Sequence, residues 1–144
     1  MLVAAGALFR DEAGRIMMVR PSYKPEWEIP GGMLEPGETP VQACEREVAE
    51  ELGLRITVGL LLVADWAPHP DQGDKLLFIF DGGHLTDEQR AAIRFPDGEI
   101  TAWEFVDPSR LAEFTTPRLA DRIRAARPGR TRYLENGRDP LGPH

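Results

Sequence analysis

The apolar and polar positions in the first part of the chain predict strands joined by turns. Residues 2–10 and 15–19 are apolar runs, and the Asp-Glu-Ala-Gly sequence between them favours a turn because glycine tolerates a positive φ. We therefore predict a β-hairpin. Residues 20–26 contain two prolines and predict a loop, and a short extended piece at 27–29 precedes Pro-Gly-Gly at 30–32, which ends regular structure.

The clearest helix is predicted for residues 40–52. Thr39 suits the N-cap, Pro40 occupies the first helical position, and Gln42 stands where a capping box needs a side chain that bonds back to the cap. Gly53 can end the helix in a left-handed conformation. At 100° per residue one stripe of this helix is apolar, and we expect it to be buried; its members are Val41, Cys44, Val48 and Leu52.

The rest of the chain continues the mixed pattern. Strands are predicted at 55–66, 75–81 and 100–106, a short helix at 86–93, and two helical pieces within 107–127 that Pro117 divides. We assign residues 1–127 to one domain of α/β class, in the mixed α+β sense. Residues 128–144 have no apolar period, so we expect a poorly packed tail.

Composition and charge restrict the partners. A net charge of −7 argues against a nucleic-acid polymer, whose binding relies on neutralising many phosphates, but it leaves room for a small phosphate ester that carries cations. The apolar start is too short to span a bilayer, so no membrane partner is expected. Cys44 is the single cysteine and cannot form an intrachain disulfide, which favours a cytoplasmic location.

The predicted helix carries its chemistry on an acidic face. Glu47, Glu50 and Glu51 stand at positions i, i+3 and i+4, which places the three carboxylates within about one turn of each other. Carboxylate oxygens suit Mg²⁺, with Mn²⁺ as a possible substitute. Acidic runs on helices are more often plain solvated faces, and the spacing alone does not decide between the two.

Residues 32–54 decide the question, because they resemble the Nudix box. In that motif a Gly is followed after five residues by Glu, and after seven more by Arg-Glu-aliphatic-any-Glu-Glu-any-Gly-aliphatic. This sequence matches every specified position without a gap, at Gly32, Glu38, Arg46, Glu47, Val48, Glu50, Glu51, Gly53 and Leu54. The chain is thereby identified as a member of the Nudix hydrolase family, of the MutT-like kind.

The resemblance implies a fold and a metal site. The expected fold is the Nudix fold, a mixed β-sheet sandwiched between helices. In the family the helix carboxylates hold Mg²⁺ ions that bridge to a pyrophosphate, which implies Glu47, Glu50 and Glu51 as ligands, together with the backbone carbonyl of Gly31. The number of ions is left open.

The resemblance also implies catalytic roles. Arg46 is expected to pair with Glu38 and hold the loop against the helix. Glu47 is the first choice for the general base, and an acid from a loop outside the box is the rival. By order along the chain Glu99 is the best placed such acid, ahead of Asp97 and Glu104.

Substrate contacts are expected in the loop before the box. Arg20, Tyr23 and Lys24 lie there, although a solvent-facing role is the simpler interpretation of these side chains. Trp27 can stack on a nucleobase or pack in the core, and the sequence favours neither.

Three functions follow as hypotheses. The first is hydrolysis of a nucleoside diphosphate linked to another group, such as ADP-ribose or a nucleotide sugar, since Pro70 stands sixteen residues after Leu54 as in some ADP-ribose hydrolases. The second is pyrophosphate release from a nucleoside triphosphate, either unmodified or modified. The third is a nucleotide sensor without chemistry. A homodimer is possible, since many family members dimerise.

Overall fold

A computed structural model describes residues 1–142 of the chain. Within that part, seven strands, three α-helices and one 3₁₀ helix follow one another along the sequence. The strands are β1 (Leu2–Phe9), β2 (Ile16–Pro21), β3 (Gly31–Met33), β4 (Leu61–Trp66), β5 (Lys75–Gly83), β6 (Ile100–Val106) and β7 (Arg132–Glu135). The α-helices are α1 (Pro40–Leu52), α2 (Asp87–Ala92) and α3 (Pro117–Ala125), and the 3₁₀ helix is Pro108–Glu113.

The centre of the fold is a mixed sheet of five strands in the order β3-β1-β5-β4-β7. β1 runs parallel to β5 and antiparallel to β3, and β4 runs antiparallel to β5 and parallel to β7. α1 packs on one face through residues such as Cys44 and Val48, and α3 packs on the other through Ile123. The expected sheet between helices is confirmed.

The predicted hairpin is wrong. β1 and β2 share a single isolated bridge, between Arg10 and Ile16, and β2 then pairs with β6 in a separate two-stranded sheet. The turn itself forms, because the Asp11 carboxylate accepts hydrogen bonds from the N–H groups of Ala13 and Arg15 at 3.0 and 2.8 Å. β1 is buried on both sides from Ala5 to Phe9, as suits a central strand, and both of its edges are taken by β3 and β5.

α1 begins and ends as its sequence predicts. Thr39 accepts from the Gln42 N–H, the Gln42 side chain accepts from the Thr39 N–H, and Gly53 follows with φ +70°. Three members of the predicted apolar stripe are buried at 0% exposure, Cys44, Val48 and Leu52. Val41, in the first turn of the helix, differs and is 39% exposed.

Later elements agree with their predictions except at one start. α2, β6 and the division at Pro117 are confirmed. The strand expected from residue 55 begins only at Leu61. The preceding backbone pairs irregularly, since the Val58 N–H donates to the Glu45 carboxylate of α1 whereas the Gly59 N–H donates to the Asp81 carbonyl of β5.

The expectation of a poorly packed tail is wrong for residues 132–137. β7 forms the fifth strand of the sheet, and its Leu134 is fully buried among residues of β4, β5 and α3. The following Gly137 donates its N–H to the buried carboxylate of Asp65 at 3.0 Å. A four-residue strand with a single buried residue is too short to produce a recognisable apolar period.

No helix within residues 1–142 is long and apolar enough to cross a membrane.

Candidate active site

β3 places two glycines against the acidic face of α1. The Gly31 N–H donates to Oε1 of Glu51 at 2.8 Å. A Cβ atom on Gly32 would lie 2.6 Å from Cδ of Glu47, so this carboxylate rests directly on the glycine backbone. Gly31 adopts φ +154°, and a Cβ there would meet the Ala5 carbonyl oxygen at 2.4 Å. The absence of a side chain on Gly32 lets the Glu47 carboxylate reach the strand, and its absence on Gly31 lets β3 approach β1 closely.

Arg46 holds the loop before α1 against the helix. Its Nε and Nη2 donate to the two carboxylate oxygens of Glu38 at 2.6 and 2.9 Å, and Nη2 also donates to the Met33 carbonyl at 3.1 Å. The predicted pairing of Arg46 with Glu38 is confirmed. The hydrogen bonds from Arg46 lower the pKa of Glu38 to about 2, so this carboxylate stays ionised.

The same guanidinium reaches the acidic face. Nη1 of Arg46 donates to Glu47 at 2.8 Å and to Glu50 at 3.2 Å. One arginine thus connects the loop anchor with two of the three carboxylates expected to carry chemistry.

Glu51 and Glu47 are held where ionisation is disfavoured. Burial raises the pKa of Glu51 to about 8, against the Gly31 hydrogen bond, and the charges of Glu47, Glu28 and Asp97 add to the rise. Burial also raises the pKa of Glu47, although Arg46 opposes it. The site concentrates more negative charge than its protein partners balance.

Acids from outside the box face this cluster. Glu99 is exposed, yet its charge contributes to the raised pKa of Glu47, and Asp97 does the same for Glu51. The 93–99 loop therefore lies within electrostatic range of α1. Its backbone is held by bonds from the Glu99 N–H to Asp97 and from the Ser22 N–H to the Glu99 carbonyl.

A cavity of about 560 Å³ opens beside the two glycines. It lies on the sheet face that carries α3, and apolar residues of β1 and β5, among them Leu2 and Leu77, form much of its wall. Its glycine and polar lining comprises Gly31, Gly32, Tyr23, Glu28, Gln72, Lys75 and Arg122. This volume is in the range of small-molecule sites.

The loop residues predicted to contact substrate divide into two groups. Tyr23 lines the cavity and is 67% exposed. Arg20 instead donates to the Thr101 hydroxyl at 3.0 Å, and Lys24 is ion-paired with Glu28. Trp27 packs edge-on against Phe114, with ring centroids 5.2 Å apart, which favours the packing role that the sequence left open.

A family model for the NUDIX domain matches residues 1–126 of the chain. The chain belongs to the Nudix family. The resemblance drawn from residues 32–54 is confirmed, and with it the hydrolase class.

Two relatives and one solved structure illustrate the family match. A Bacillus subtilis (strain 168) protein, provisionally named an 8-oxo-dGTP diphosphatase, is 32% identical over 108 residues, covering 74% of this chain and 67% of that protein. An 8-oxo-dGTP diphosphatase of Proteus vulgaris is 46% identical over 53 residues, or 37% of this chain and only 47% of that protein. The crystal structure of a C. elegans Ap4A hydrolase superposes with a TM-score of 0.67 at 20% identity, covering 87% of this chain and 94% of that chain, and this likeness concerns the fold.

Nudix hydrolases generally use a divalent metal, and the residues present fit one. The fit rests on the donor set, since Glu47, Glu50 and Glu51 are neighbours on one face and two of them are destabilised as anions. As the side chains stand, no group of three His, Cys, Asp or Glu within the described residues is arranged around one point. Glu47 is turned onto Arg46 and Glu51 onto the Gly31 N–H, so the predicted convergence is only partial.

Sequence reasoning missed three charged residues of this Nudix cavity. Glu28 lines it and is close enough to raise the pKa of Glu51. Lys75 and Arg122 line it from β5 and α3. Glu28 could have been found, because it alternates with apolar Trp27 and Ile29 just before the Pro-Gly-Gly. Lys75 and Arg122 reach the cavity through the packing of distant elements, and no local sequence pattern predicts that packing.

Proposed function

We propose that the chain hydrolyses a phosphoanhydride bond of a small nucleotide with Mg²⁺ as the cofactor and Mn²⁺ as a substitute. The observation that carries this proposal is the position of the α1 carboxylates, against Gly31 and Gly32 at the wall of a nucleotide-sized cavity. A phosphate chain at this wall can meet the acidic face while the rest of the nucleotide occupies the cavity.

The residues would divide the work as follows. Glu47, Glu50 and Glu51, with the carbonyl of Gly31, would hold the metal, which when bound neutralises phosphate charge and acidifies the attacking water. Glu47 is the leading general base, and Glu99, within electrostatic range of it, is the alternative. Arg46 and Glu38 act as positioning residues, because their bidentate pair fixes the loop and the carboxylates on one frame.

For the substrate we favour a nucleoside triphosphate with a modified base, cleaved to a monophosphate and pyrophosphate. This was the second of the sequence hypotheses. Its support is the activity for which the relatives are named, since the Bacillus subtilis and Proteus vulgaris proteins both carry the name 8-oxo-dGTP diphosphatase. The cavity is large enough for a purine nucleoside.

A nucleoside diphosphate joined to another group is the second candidate, and it led among the sequence hypotheses. One observation favours it: Pro70 lies in the exposed loop that also carries Gln72, a residue of the cavity lining. A longer substrate could extend along that loop. Proline is also common in such turns for conformational reasons, so this support is weaker.

A two-arm assay separates the candidates. About twenty nucleotides are incubated with Mg²⁺, and pyrophosphate is measured directly in one arm. Phosphate is measured after added phosphatase in the other. Pyrophosphate from 8-oxo-dGTP above that from ADP-ribose and nucleotide sugars supports the first candidate, whereas phosphatase-dependent phosphate from diphosphate esters alone supports the second. No turnover of any compound would leave the third hypothesis, a nucleotide sensor.

The metal assignment is tested by substitutions within α1. Glu50→Gln and Glu51→Gln should each lower turnover by about 100-fold or more with Mg²⁺, because a neutral amide replaces a charged ligand. Glu45→Gln is the matched control on the same helix, since its amide oxygen can still accept from the Val58 N–H and it lies off the acidic face. Unchanged turnover in both ligand variants would remove the helix from the mechanism.

Two further expectations remain proposals. A cytoplasmic location is tested by fractionation of cells that express the chain. A homodimer is tested by light scattering of the purified protein, where a mass near twice 16.1 kDa is the supporting result.

A further inference from the structure

Arg122 is a fixed cation in the wall of the cavity. Its side chain extends from α3 and is only 8% exposed. Its Nε is bonded to the carboxylate of Asp65, which is fully buried on β4 and also accepts from the Gly137 N–H at 3.0 Å. The ion pair with Asp65 holds the guanidinium at the cavity wall.

Lys75 is a second cation in the same wall, without a counter-ion in contact. It begins β5 and is half-buried, and across residues 1–142 no carboxylate lies within 4.0 Å of its ammonium group. Its one hydrogen-bond contact is the Gln72 side-chain oxygen, at the long distance of 3.5 Å. Burial lowers the pKa of Lys75, and the charges of Arg122 and Lys24 lower it further, against Glu28.

The sheet register separates this pair from the acidic face. Gly31 and Ile79 both lie opposite Gly6, whereas Lys75 lies opposite Leu2, four residues earlier in β1. With strand spacings of about 3.3 Å per residue and 4.8 Å per strand, Lys75 and Gly31 are about 16 Å apart at their Cα atoms. A nucleotide whose phosphates contact α1, together with an extended lysine side chain, can span this separation.

We propose that Lys75 and Arg122 determine specificity by binding the end of the substrate farthest from its pyrophosphate, through oxygen or nitrogen acceptors that carry full or partial negative charge. The proposal rests on the proposed function, because it takes the pyrophosphate to lie at α1. Two groups offer this chemistry, the keto edge of an oxopurine and a second phosphate on the ribose.

The ion pair with Asp65 does not by itself explain this arrangement. A structural pair needs one arginine and one carboxylate, and Arg122 with Asp65 meets that need inside the protein. Lys75 adds a second, partly desolvated positive charge beside it that has no ion pair of its own within residues 1–142, and an acceptor on a ligand would stabilise this charge. In a chain of net charge −7, two cations on an apolar cavity wall favour ligands that place a hydrogen-bond acceptor beside them.

Binding of three nucleotides that share a 5′-monophosphate tests the proposal without turnover. Calorimetry with GMP, AMP and adenosine 2′,5′-bisphosphate compares a keto base, an amino base and an added ribose phosphate on one scaffold. Lys75→Gln should weaken the preferred ligand by roughly tenfold and AMP by less than twofold, as expected for the loss of one charge-assisted hydrogen bond. A selective loss for GMP identifies the base edge, and a selective loss for the bisphosphate identifies the phosphate.

Two further variants separate specificity from damage to the fold. Lys75→Arg should restore at least part of the lost affinity, and Arg118→Gln, an exposed arginine of α3, should leave all three affinities unchanged. Arg122→Lys keeps a charge next to Asp65 and should weaken the same ligand as Lys75→Gln. Equal losses for all three ligands, no loss for any, or no binding by the wild type would overturn the proposal. Binding of the expected pattern in a chain that fails to hydrolyse any nucleotide would count against the proposed function alone.

Discussion

Gly32 fixes the position of the Glu47 carboxylate by having no side chain. A Cβ added there would lie 2.6–2.9 Å from the three carboxyl atoms of Glu47, which form the movable end of a side chain. Gly32→Ala should therefore displace the carboxylate at little expense to the fold. We expect kcat to fall about tenfold to a hundredfold, since small displacements of a catalytic group have effects of that size, with the unfolding free energy changed by less than about 1 kcal/mol.

Gly14→Ala is the matched control for that substitution. Gly14 has φ +79° in the turn after β1, and a Cβ there would meet nothing within 4 Å. Alanine in the left-handed region should lower the unfolding free energy by about 1 kcal/mol while kcat is retained. Denaturant melts and steady-state kinetics on both variants decide the matter; a Gly32→Ala protein that loses stability but keeps its kcat contradicts the assignment of Glu47.

We expect Arg46 to position the acidic residues through the geometry of its guanidinium as well as through its charge. Its guanidinium donates to Glu38, Glu47, Glu50 and the Met33 carbonyl at the same time. Arg46→Lys keeps the charge but cannot supply this planar set of donors, so we expect kcat/KM to fall roughly tenfold. Arg90→Lys on α2, whose guanidinium is paired with Asp87 away from the acidic face, should leave the kinetics unchanged. Equal activity in the two variants would reduce Arg46 to a source of charge.

Two capping boxes allow a comparison between helices. Thr39 caps α1, which packs buried residues such as Val48 against the sheet, and Thr86 caps α2, which has no buried residue. Thr39→Ala should lower the unfolding free energy by about 1 kcal/mol, and Thr86→Ala by less, since α2 can fray without exposing the core. Chemical denaturation measures both losses. A larger loss for Thr86→Ala than for Thr39→Ala would show that packing alone stabilises the start of α1.

Elements defined by local patterns were predictable, and pairings between distant elements were not. The caps of α1 and the split at Pro117 follow from side chains next to the backbone groups that they satisfy. The hairpin failed because β1 pairs with β5, more than sixty residues away, and no pattern within β1 states that choice. β7 was not predicted for the same reason, since its one buried residue, Leu134, is covered only when the strand pairs with β4.

The candidate site divides in the same way. Its acidic half lies in one continuous segment, so Glu38, Arg46 and the α1 carboxylates could be named from the sequence. Its cationic half comes from β5 and α3, which are distant in the sequence and line the same cavity, so no local pattern indicated Lys75 or Arg122. Trp27 illustrates the remaining ambiguity, because its partner Phe114 lies far along the chain.

The strand β7 contributes to the stability of the whole fold. Leu134 is fully buried in the core that includes Ile79 and Ile123, so Leu134→Ala should lower the unfolding free energy by about 2–5 kcal/mol through the cavity that it creates. Leu141→Ala is the control, since this side chain is 77% exposed and should change stability by less than about 0.5 kcal/mol. Equal midpoints for the two variants in urea would show that β7 does not stabilise the sheet.

Metal binding should also be measurable in the stability of the entire chain. The carboxylates of α1 repel one another in the folded state and are dispersed in the unfolded chain, so a divalent ion binds the folded state preferentially. At a hundred times its Kd, Mg²⁺ should raise the unfolding free energy by about 2.7 kcal/mol, which corresponds to roughly 5–10 °C in Tm for a chain of this length. NaCl of equal ionic strength should not reproduce the rise, because screening does not replace coordination. A variant with both Glu50→Gln and Glu51→Gln should lose the response, while Glu45→Gln keeps it. If the double variant retains the full increase in Tm, the ion binds elsewhere and the carboxylates of α1 are not its ligands.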